Sequence, residues 1–170
     1  MIYQVSKKQN NAKMCFVCGI ENESGLHTHF YELENGRLLG LFNGQDIHQS
    51  YPERMHGGII VALLDETIGR ALEIIEPNSW GVTIEVTTKF IKPVPLDQEL
   101  KVVGWVTNNR RLIFEGEGYL CDKNNEILAT CTGKYIKKSI DNIVDENKFL
   151  EEQWIYVEDE NSPSSFNLSK

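Results

Sequence analysis

The sequence predicts an α+β fold in which an antiparallel β-sheet wraps around one long central α-helix. Three observations predict it. A single long helical segment, Gly57–Ile75, is free of proline and rich in helix formers, and Pro77 ends it. Segments on either side alternate apolar and polar residues with a period of two. Their order is two strands, the helix, then four consecutive strands, which suits one helix laid on an antiparallel sheet.

Each element has its own signal. Gly25–Glu34 reads as extended, and Asn35-Gly36 is a two-residue hairpin signal that returns the chain along Arg37–Phe42. Residues 43–55 are polar, contain Pro52 and read as a loop. The first two turns of the helix are apolar nearly all round, as in a buried helix. Beyond it, Val82, Ile84, Val86 and Phe90 alternate with Thr83, Glu85, Thr87 and Lys89. Pro93-Val94-Pro95 breaks that run. Glu99–Thr107, Arg111–Cys121 and Glu126–Lys137 complete the set, with turns at 108–110 and at Asn124-Asn125. Lys148–Tyr156 reads as a short amphipathic helix, and Asn161–Lys170 as a mobile polar tail. The organisation expected is an extension over 1–13, one domain over 14–138 and an acidic extension over 139–170.

The chain has 170 residues, 41% of them hydrophobic, enough for the core of one domain. Its net charge of −8 is uneven: residues 139–170 hold eight carboxylates and two lysines, so the rest of the chain carries only −2. An acidic chain with no basic cluster argues against nucleic acid or an anionic membrane as partner. The first 13 residues contain no apolar signal region, and the longest apolar run, Ile59–Leu64, is far too short to span a bilayer. A cytoplasmic location with four free thiols is expected.

The helix carries the candidate chemistry. On a helical wheel Val61, Ile68 and Leu72 lie within about 60° of Asp65 on one side, with Gly58, Ala62 and Gly69 on the other. Asp65 therefore stands between an apolar stripe and a small-residue stripe, a costly place for a carboxylate that is neither bonded nor used. Glu66 shares its side with Arg70 and Glu73, and reads as a solvated face with an i, i+4 pair. Two glycines at a helix start are poor helix formers. Without Cβ atoms, Gly57 and Gly58 let a ligand reach free backbone N–H groups at the positive end of the helix dipole, which suits a developing oxyanion. From either glycine to Asp65 is roughly 10–12 Å along the axis. One chain does not easily bring both to one reacting group, whereas two facing chains do.

The stretch HGGIIVALLDETIG resembles the central helix of the hotdog-fold thioesterase superfamily, in particular the branch typified by phenylacetate-pathway thioesterases. CFVCGIENESGLHTHFYE, KFIKPVPLDQELKVVGWV and NNEILATCTGKYI resemble its strand entry, a strand pair and its last strand, over roughly residues 14–138. The resemblance implies an acyl-CoA thioesterase that needs no metal or organic cofactor, CoA being part of the substrate. It implies homodimers that often pair into tetramers, with the site at the dimer interface. The Gly57 N–H would donate to the thioester carbonyl, and Asp65 of the partner subunit would be general base or nucleophile. Thr83, in the place of a family Ser or Thr, would orient the water. The family often has Asn or Gln six residues before the motif histidine; here that position is Ser50, so Ser50 or the adjacent Gln49 would take the role. A non-catalytic acyl-CoA or fatty-acyl binding module is the alternative, and a buried carboxylate at 65 speaks against it.

Other residues carry two readings. His56 is either catalytic or the residue that fixes the helix entry, and such a motif favours the second. Cys15-x-x-Cys18 with His27 and His29 makes a countable zinc set, but there is no second CxxC and the stretch resembles a metal-free segment of the family, so no metal is expected. Cys131 shares a strand face with Ile127, Ala129 and Tyr135 and reads as a core thiol. Arg110 and Arg111 are either a solvated hairpin end or contacts to CoA phosphate, and Lys89 and Lys92 could join them.

Overall fold

The computed structural model describes residues 1–158 and 161–168. Asp159, Glu160 and Lys170, three of the charges of the acidic extension, lie outside the described residues. The strands are β1 Ile2–Lys8, β2 Asn11–Ala12, β3 His29–Leu33 and β4 Leu38–Asn43, then β5 Trp80–Phe90, β6 Glu99–Asn109, β7 Ile113–Cys121 and β8 Ile127–Lys138, and finally β9 Trp154–Ile155 and β10 Ser165–Asn167. The helices are α1 Gly57–Arg70, extended by a tighter 3₁₀ turn over Ala71–Ile74, and α2 Glu146–Glu152.

Eight strands form one antiparallel sheet in the order β10-β1-β3-β4-β6-β7-β8-β5, and α1 lies against its inner face. This is the expected hotdog arrangement. Ile60, Leu63, Leu64 and Ile68 of α1 are buried against Leu38, Val102, Phe114 and Leu120. Close approach needs bare backbone on the sheet. A Cβ on Gly104 would come within 3.1 Å of the Thr67 backbone, and one on Gly116 within 2.5 Å of Ile68 Cγ2.

A second apolar cluster covers the outer face, where Tyr31, Leu39, Val103 and Tyr119 pack with Phe166 and Leu168. The tail expected to be mobile is therefore partly a strand: Ile2–Gln4 pair with Ser165–Asn167, and the Tyr31 and Phe166 rings sit 5.4 Å apart. The N-terminal segment also joins the sheet, through Val5, Lys7 and Lys8 against β3.

Three local expectations change. The β3–β4 turn has three residues rather than two. Leu33 N–H donates to the Arg37 carbonyl at 2.9 Å, and Gly36 alone takes the left-handed conformation, with φ +76°. The helix expected over Lys148–Tyr156 ends at Glu152, because Trp154 and Ile155 pair with Ala12 and Asn11. Ile127 packs in the outer cluster, away from Ala129, Cys131 and Tyr135, after a register shift at Leu120/Cys121.

Candidate active site

The alternation read in β5 is interrupted by a bulge between Thr83 and Glu85, where Thr83 pairs with Tyr135 and Glu85 with Lys134. The extra residue, Ile84, shifts the phase of the strand. Val82 and Ile84 stay exposed, at 41% and 49%, while Val86 packs on the core and Thr83 turns toward α1. The start of the strand is drawn close to the helix at Gly81, where a Cβ would come within 3.3 Å of the Gly69 carbonyl oxygen.

This geometry brings Thr83 to Asp65. The Thr83 hydroxyl donates to Asp65 Oδ1 at 2.9 Å and faces Oδ2 at 3.1 Å. The Tyr135 hydroxyl donates to the Asp65 backbone carbonyl at 3.2 Å, and its ring stacks on Phe114. Burial first, and the Asp65 charge second, push the Tyr135 phenol far up, so it stays a protonated donor. Asp65 and Thr83 line a cavity of about 270 Å³. Trp80, Phe149 and Trp154 wall it on another side, their ring centroids 5.0 to 5.6 Å apart. The C-terminal extension, through α2 and β9, thus contributes to the cavity wall.

The glycines stand at the other end of α1. His56 is the N-cap, and its Nδ1 accepts from Gly58 N–H at 3.0 Å. The helix-entry role read for His56 is what this contact performs. The Gly58 N–H is thereby engaged, whereas the Gly57 N–H has no acceptor among the described residues. Gly57 opens into a separate recess with Ser50, Phe90 and Lys92. Gln49 bridges to Met55 in the loop above it, and Ser50 N–H donates to the Arg54 carbonyl. Gly57 and Asp65 are eight residues apart on one helix, roughly 12 Å along its axis. The predicted residues thus fall into two groups, Asp65 with Thr83 and Gly57 with Ser50, while Gln49 does not line the Gly57 recess.

The cations divide likewise. Lys92 borders the Gly57 recess and pairs with Glu126, and Lys89 is exposed on β5. Arg110 and Arg111 are exposed in the β6–β7 turn. That turn is tied to the Asp65 end of the sheet, since Lys137 N–H donates to the Leu112 carbonyl and Asn109 bonds to Glu76.

Glu66 departs from its expected solvated face. Its pairing with Arg70 stands, at 3.5 Å, but Arg70 is only 8% exposed, with its guanidinium against Phe30 and Trp154. Glu66 lines the cavity with Cys15 and Cys18. The Cys18 thiol donates a hydrogen bond to the Cys15 sulfur, which brings the Cys15 thiol down to about 7 and pushes Cys18 well up. His27 and His29 are not in this group; His27 Nε2 instead contacts the Asn22 carbonyl. All four cysteines are free. Among the described residues, no helix is long and apolar enough to cross a membrane.

The family model described as thioesterase superfamily matches residues 53–129. Among solved structures, one thioesterase-superfamily protein is 22% identical with a TM-score of 0.67, over 72% of this chain and 63% of its own. This chain therefore spans less than two thirds of that relative. The PaaI protein of the E. coli phenylacetic acid degradation operon is 15% identical with a TM-score of 0.61, over 67% of this chain and 81% of its own. A Streptococcus mutans protein solved with acetyl-CoA bound is 19% identical with a TM-score of 0.55, over 61% of this chain and 82% of its own. No curated protein matches in sequence. At these identities the structural likeness is one of fold.

Proposed function

We propose, from the premise that this is a hotdog-fold chain of the thioesterase superfamily, that it hydrolyses an acyl-CoA thioester to the free acid and CoA. The observation that carries the reading is the Asp65 carboxylate, oriented by the Thr83 hydroxyl in a cavity wall.

A thioester needs little acid assistance, because a thiolate leaves readily. It needs a polarised carbonyl and a base or nucleophile. The Gly57 N–H, at the positive end of α1, supplies the first. Asp65 supplies the second, either by taking the proton from an attacking water or by attacking the carbonyl carbon and then being released by water. In both routes the C–S bond breaks from a tetrahedral intermediate, and the sulfur leaves as the CoA thiolate.

The two groups meet across a homodimer, Gly57 of one protomer facing Asp65 of the other. Support comes from β5, which ends the sheet and leaves one edge without a strand partner among the described residues while exposing Val82 and Ile84. An apolar edge strand is a liability unless another chain covers it. The acetyl-CoA bound by the Streptococcus mutans relative fits a CoA ligand here.

The test is hydrolysis over a panel of short, medium, long and aromatic acyl-CoAs by wild-type protein and Asp65→Ala. The expected result is turnover of at least one class, abolished in a folded Asp65→Ala. Acyl-CoA binding without turnover by wild-type protein would instead make the chain a binding module.

A further inference from the structure

Among the described residues, one group of metal-ligating side chains comes together: Cys15, Cys18 and Glu66, whose donor atoms all lie within 4.8 Å of one another. Glu66 Oε1 stands 3.8 Å from each sulfur. Tetrahedral zinc, with Zn–S about 2.3 Å and Zn–O about 2.0 Å, requires sulfur–oxygen edges of roughly 3.5 Å. Small side-chain rotations close that gap. We propose that Cys15, Cys18 and Glu66 bind one Zn²⁺ ion, which fastens the turn over residues 15–18 to α1 beside the Asp65 cavity.

The backbone presents both sulfurs on the helix side. Gly19 N–H donates to the Cys15 carbonyl at 2.7 Å, which closes the turn, and Cys18 N–H donates to Cys15 Sγ at 3.5 Å. Backbone N–H groups directed at thiolates are the usual outer support of such ligands. Charge also balances. Two thiolates and a carboxylate exceed a divalent ion by one negative charge, and the Arg70 guanidinium, 3.5 Å from Glu66 Oε1, offsets it. Arg70 is anchored independently by Gln9 Oε1 at 3.0 Å and by the Asn10 carbonyl, so it keeps its place when Glu66 turns to a metal. All three ligands border the cavity that holds Asp65, which leaves the fourth zinc position facing that space, for water or a polar substrate group.

The site does not depend on the thioesterase reading, and its test reads metal rather than turnover. Full-length protein, reduced and stripped by chelator, is titrated with Co²⁺ and then with Zn²⁺. The expected result is one equivalent of cobalt with thiolate-to-metal charge-transfer absorption, displaced by one equivalent of zinc. Cys15→Ser and Cys18→Ser abolish the absorption, Glu66→Gln weakens metal affinity about tenfold or more, and His27→Ala leaves both unchanged. Cys18 is fully buried, so if Cys18→Ser does not fold, the half-buried Cys15→Ser carries the test. Reduced wild-type protein that takes up no cobalt, or an absorption that survives Cys15→Ser, overturns the proposal.

Discussion

One hydroxyl, that of Thr83, reaches both carboxylate oxygens of Asp65, at 2.9 and 3.1 Å, across the gap between β5 and α1. The bulge at Ile84 is what lets it do so, since regular alternation would put Thr83 on the face opposite Val86. The contact holds the carboxylate in one orientation while leaving it partly exposed to the cavity.

Thr83→Val keeps the shape of the side chain and removes this hydrogen bond. The expected effect on acyl-CoA hydrolysis is a fall in kcat of about tenfold, the size of one lost hydrogen bond, with KM little changed. Steady-state kinetics against wild-type protein check it; equal kcat values would remove Thr83 from the site.

Gly57→Pro deletes the proposed oxyanion donor without disturbing the helix. Proline is favoured at the first helical position. The preceding His56 already has ψ 132°, the extended conformation that a following proline requires. The variant is expected to fold with a Tm close to wild type and to lose about 10²–10³-fold in kcat. Circular dichroism and kinetics on the same preparation separate the two effects.

Arg110→Ala and Arg111→Ala are expected to raise KM several-fold for acyl-CoA but not for N-acetylcysteamine thioesters, which lack the nucleotide phosphates. If both substrates respond equally, the turn does not contact the phosphates.

Glu76 ties the end of α1 to β8 and the β6–β7 turn. Its hydrogen bonds with Lys137 first, and Asn109 second, hold its carboxyl below the ordinary 4.5. A depressed folded value means that the contribution is present above the unfolded value and fades as pH falls through the folded one. Glu76→Gln should therefore lower stability at pH 7 by about 1 kcal/mol or less, since solvent screens a glutamate side chain that is 35% exposed even though Lys137 is only 10% exposed. The two proteins should converge in acid. Thermal melts at several pH values check this, and a gap that persists in strong acid contradicts it.

Much of the fold was legible because the signals were local. The helix start, the places where the chain reverses and the strands read as 37–42, 99–107 and 126–137 follow from period, proline and glycine alone and fall within two residues of the observed bounds. What escaped depends on distant partners. Tyr3 and Val5 alternate with Gln4 and Ser6, a weak strand signal that becomes a strand only beside Leu33 and Ser165–Asn167. The bulge at Ile84 is fixed by the pairing with β8 rather than by the residues of β5. At the site, the wheel assigned Glu66 to a solvated face, but Glu66 lines the same cavity as Asp65 and meets cysteines about 50 positions away, and no helical period reveals that. The close approach at Gly104 and Gly116 was written in the sequence as glycines inside strands and needed the helix to be understood.

In the proposed homodimer, a working site takes Gly57 from one protomer and Asp65 from the other. The most direct measurement mixes Asp65→Ala and Gly57→Pro chains, each inactive alone, by co-expression at equal levels. Each mixed dimer then contains one intact site, so about a quarter of the wild-type rate is expected to return by random assortment. A mixture that forms mixed dimers yet stays as inactive as either variant alone would contradict it.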